Sequence, residues 1–91
     1  MTRSYNHESL KRHGVTVDEI NEVQRSPMNV VIDLETSHKG NDRVMWIGFT
    51  LNLRLLEIGV EYLPRDHEHV FHTMDATKTH RKEFEQRTGS L

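Results

Sequence analysis

Residues 66–84 read DHEHVFHTMDATKTHRKEF, which places His67, His69, His72 and His80 in one short stretch with Arg81 directly after the last of them. Histidine is the side chain whose ordinary pKa lies nearest neutral pH, so it suits proton transfer. Arginine suits a phosphate, which it meets with paired, charge-assisted hydrogen bonds. His80 and Arg81 are therefore the candidates for chemistry on a phosphate. His67 and His69 lie two apart; on a strand they point to one side and could chelate a metal, whereas His72 would point to the other side unless the strand bulges. The plainer reading is a pair of surface histidines at a strand entrance, and no metal or other cofactor is expected. His80 also has a plainer reading. Ala76, His80 and Phe84 share one helical stripe that should face a sheet, so His80 could simply pack at that interface.

The elements that would position these residues follow from periodicity and capping. Asn6 and Gly14 bracket a short helix with Leu10 as its one strong core anchor. In VTVDEINEVQRSP, Thr16 and Glu19 make a capping box, and Val15 and Ile20 sit at the two positions of a hydrophobic staple. This predicts a helix from about 17 to 25, stopped by Pro27. Met28, Val30, Ile32 and Leu34 alternate as a half-buried strand, RVMWIGFT is strand-like, and HVFHTM is a further strand. LLEIGVEYL alternates too, and its Glu57, Gly59 and Glu61 side is expected to face water. ATKTHRKEFEQRTG should be a helix, capped by Thr77 or Asp75 and ended near Gly89.

The order is helix, helix, four strands, helix. Short links between the strands suggest an antiparallel meander in a small single α+β domain over residues 1–91, with the helices covering one face of the sheet. Residues 1–5 and 87–91 are expected to be flexible. Trp46 and Phe49 differ in parity, so they should lie on opposite faces of one strand, with at least one ring substantially exposed. That exposed face would offer a dimer contact.

Composition narrows the function further. A chain of 91 residues buries only roughly 60–65% of its unfolded surface, so the core must be thin. With no cysteine, disulfides, thiolate metal sites and cysteine nucleophiles are excluded. No stretch nears the ~20 apolar residues that span a bilayer, and MTRSYNHESL lacks the apolar core of a signal peptide; a cytoplasmic protein is expected. The net charge of −2 is unlike the basic excess of a dedicated nucleic-acid binder, so any such contact must rest on the local patch around Lys78, Arg81 and Lys82. There is no Gly-rich phosphate loop, and no Ser/His/Asp order stands out.

Three stretches in order resemble the BrnT family of bacterial type II toxins, which share their fold with the RelE and ParE toxins. The likeness covers about residues 5 to 86. LKRHGVTVDEINEV is similar to the family's basic-His-Gly-Val turn and acidic helix. NDRVMWIGFTLNLRLLEIGVEYLPR is similar to its central hairpin. HVFHTMDATKTHRKEF resembles its closing pattern, Arg-Val-Ile-Ser-Ala-Arg-x-Ala-Thr-x-x-Glu-Arg-x-x-Tyr. Ala76, Thr77 and Arg81 match that pattern, whereas Met74 replaces its second Arg, His80 its Glu and Phe84 its Tyr. The family's first strand is reduced here to MTRSY. The resemblance implies a toxin that inhibits translation by metal-independent RNA cleavage and is neutralised by a ribbon-helix-helix antitoxin of the BrnA type. In that role His72 and His80 would move protons, Arg81 would stabilise the phosphorane, and Arg54, Lys78 and Lys82 would hold phosphates. The alternative is a non-catalytic module of the same fold that only assembles with the antitoxin and its DNA complex.

Overall fold

The computed structural model describes residues 1–89. Its elements run β1 (Thr2–Tyr5), α1 (His7–His13), α2 (Val17–Arg25), β2 (Val30–Asp33), β3 (Arg43–Phe49), β4 (Leu55–Leu63), β5 (His67–Asp75) and α3 (Lys78–Thr88). The helix predicted over 17–25 has those bounds, and its capping box is complete: the Glu19 N–H donates to Thr16 Oγ1, and the Thr16 N–H donates to Glu19 Oε1. Val15 and Ile20 are both buried in the same apolar cluster, as a staple requires. Replacing Thr16 by Ala should lower stability by about 1 kcal/mol through loss of this cap. An unfolding midpoint equal to wild type would show that the box contributes nothing.

The sheet order is β1-β5-β4-β3-β2. β2 through β5 pair antiparallel with their neighbours, as the meander predicts. β1 adds a fifth strand, parallel to β5, so the sheet is mixed and the four-stranded expectation is incomplete. Residues 2–5, expected to be flexible, are the residues of this strand. Arg3 explains why so short and polar a segment docks: its guanidinium bonds Glu68 of β5 at 2.7 Å and both Asn21 and Gln24 of α2. At the other end α3 runs through Arg87 and Thr88 and is capped by Gly89, while 90–91 lie outside the described residues.

The helices do not share one face of the sheet. α1 and α2 cover a cluster built on Leu56, Ile58, Val60 and Val70. α3 covers the opposite face, where Phe84 meets Met45, Ile47 and Leu55. This second layer overturns the expectation of a single covered face and of an exposed ring. Trp46 and Phe49 do lie on opposite faces, but each is half-buried under a different helix layer. α3 is short and lies mainly over β2 and β3, and farther along the same face His69, Phe71 and His72 of β5 stay half-exposed.

Candidate functional site

Parity along β4 places Leu55, Glu57, Gly59 and Glu61 on the α3 face. Glu57 was expected to face water; it is instead 2% exposed. Three donors reach its carboxylate. His72 Nε2 lies 2.8 Å from Oε2, His80 Nδ1 lies 2.9 Å from Oε1, and the Thr77 N–H donates to Oε1 at 2.7 Å. Thr77 is the N-cap of α3, so the carboxylate also meets the positive end of that helix. Burial works against the charged form, yet the bonds from His72, Thr77 and His80 outweigh it and lower the Glu57 pKa from 4.5 to about 2.

A carboxylate that stays ionised only accepts hydrogen bonds, so each bonded imidazole nitrogen carries its proton. His72 therefore presents Nδ1 and His80 presents Nε2 as the free ring nitrogens. Both rings reach solvent, at 31% and 22% side-chain exposure. The structure thus brings two of the predicted residues to one buried acid that sequence reasoning missed. The stripe of Ala76, His80 and Phe84 does face the sheet: Ala76 and Phe84 join the apolar cluster, and His80 turns to Glu57.

The link from pKa to stability has a definite sign. A carboxyl lowered on folding contributes stability at pH above 4.5, and that contribution is lost as pH falls towards about 2. Wild-type protein should therefore lose stability across this window more steeply than Glu57→Gln, with His72 and His80 still facing the site in both. Parallel pH curves of the unfolding midpoint would show that Glu57 gains nothing from its three donors.

The other predicted residues divide. Lys78 and Lys82 line a cleft of about 480 Å³ with His80 and Ile32. Arg81 is exposed on α3 and assists Arg54 in holding the Asp75 carboxyl below its usual range. Arg54 is a structural clasp. Its Nε donates to Asp75, and its two terminal nitrogens donate to the carbonyls of Gly14 and His13, so all three nitrogens are engaged. It therefore joins the end of β5 to the close of α1.

β5 does bulge, at Phe71, which brings His72 to the face of His67 and His69. His67 and His69 are both bonded to Ser4 Oγ of β1, however, and among the described residues no three His, Asp or Glu side chains gather as a metal site. No protein-family model matches the chain, and no curated protein matches it.

Proposed function

We propose that this protein is the toxin of a type II toxin–antitoxin pair, similar to the BrnT toxins, and that it cleaves RNA without a metal ion. The observation that carries the reading is the convergence of His72 and His80, from a strand and a helix, on one buried carboxylate. An acid that orients an imidazole and fixes its tautomer is the arrangement by which proton-transfer histidines are held ready. Two of them side by side supply both halves of phosphodiester transesterification. One, neutral, takes the proton of the ribose 2′-OH as the 2′ oxygen attacks phosphorus. The other, protonated, gives its proton to the departing 5′ oxygen. The products are a 2′,3′-cyclic phosphate and a 5′-OH. Arg81 stabilises charge on the phosphorane, and Lys78 and Lys82 hold neighbouring phosphates. The partner in the cell is a ribbon-helix-helix antitoxin.

A second reading is a binding module of the same fold. Phe84 favours it: at the position where the family pattern has Tyr, this ring is wholly buried and offers no hydroxyl. Expression of the chain alone separates the two. The nuclease arrests growth and, purified, cuts RNA in the presence of EDTA; the binding module does neither.

A further inference from the structure

Phe71 is the unpaired residue of the β5 bulge, between His72, which pairs with Gly59, and Val70, which pairs with Val60. Bulges re-aim side chains, and they are common beside active sites. Here the bulge places Phe71 on the same face as its neighbour His72, where strict alternation would have sent the two apart. The ring lies over Gly59. A Cβ at that glycine would meet Phe71 Cζ at 2.7 Å and His72 Cβ at 3.1 Å, so only glycine seats the ring so low beside the histidine. Phe71 belongs to neither apolar cluster, remains half-exposed, and has the Arg43 guanidinium 5.4 Å from its ring centroid.

A half-exposed aromatic outside the core, paired with an arginine on an open sheet face, offers a π surface to a flat ligand. We infer that Phe71 is a stacking platform for an unpaired base next to the scissile phosphate, which makes the substrate single-stranded RNA. This rests on the reading of His72 and His80 given above. Stacking tolerates any base, since every base has a π face, but it requires that the base be free of a duplex. Arg43, whose guanidinium lies over the ring, is a positioning residue here.

The test is the affinity of a short 2′-O-methylated RNA, which lacks the attacking hydroxyl and stays intact, measured by fluorescence anisotropy at one fixed salt concentration. Phe71→Leu keeps apolar bulk without a π face and should weaken binding roughly ten- to a hundredfold. Phe71→Trp should bind at least as tightly as wild type. A hairpin of the same sequence should bind more weakly and be indifferent to Phe71. Wild-type affinity in Phe71→Leu, equal affinity for the hairpin, or no binding by wild type overturns the inference. Cleavage of unmodified RNA is read in parallel. Phe71-dependent binding without cleavage upholds the platform and sinks the nuclease; cleavage indifferent to Phe71 does the reverse.

Discussion

His80→Gln is expected to reduce RNA cleavage by about 10²–10⁴-fold, the range a positioned proton-transfer group supplies, while the domain stays folded. Glutamine can still donate one hydrogen bond to Glu57 Oε1, the tie that His80 Nδ1 makes at 2.9 Å. It cannot present a second nitrogen that gains and loses a proton near neutral pH. The cost in stability should therefore be near the ordinary value of about 1 kcal/mol for a single substitution. His72→Gln should behave alike, because His72 leans on the other oxygen of the same carboxylate. If the two act as a unit, the double variant falls little below the worse single one. Single-turnover rates, set beside denaturant midpoints for the same proteins, decide the matter. Wild-type rates in both single variants would remove the imidazole pair from the mechanism and leave Glu57 as a structural pin.

Phe84→Ala is expected to cost about 3–5 kcal/mol, as truncation of a fully buried aromatic does. Phe84 is the one buried residue of α3. Its ring stands edge-on to Phe49, with centroids 5.5 Å apart at 86°, an arrangement worth something beyond buried area. A small domain has roughly 5–15 kcal/mol in total, so the variant should lose a large share of its stability. α3 carries His80, and its loosening should take His80 from Glu57. Urea unfolding gives the stability directly. A loss below about 1.5 kcal/mol would mean that α3 is held chiefly by the Glu57 bonds and not by its aromatic contact.

The parts of this fold legible in the sequence were those decided within a few residues. Thr16 and Glu19 cap α2 across one turn, and alternation in LLEIGVEYL marks β4 without reference to anything else. β1 is not legible in MTRSY because its reason for being a strand lies on β5: Arg3 signals nothing until Glu68 stands opposite it. Alternation tells which residues share a face and says nothing of what covers that face, so the burial of Glu57 is not legible in LLEIGVEYL. The same limit hid the second helix layer, since either end of the chain could close on either side of the sheet. The side of His72 relative to His67 and His69 is not legible either, because one extra residue reverses parity and no local signal marks Phe71 as that residue. The stripe that turns His80 inward was visible, while its partner was not.

The sheet order also sets a timetable for synthesis. Among the described residues β1 pairs with β5 alone, so Thr2–Tyr5 waits for His67–Val70 to be made. Glu57, His72 and His80 arrive on β4, β5 and α3 in turn. A nascent chain that stops before α3 carries the acid and at most one imidazole. β1 and the site thus both wait for elements made well after β1, namely β5 and α3. A ribosome translating this message bears no assembled His72–Glu57–His80 cluster until α3 has been made.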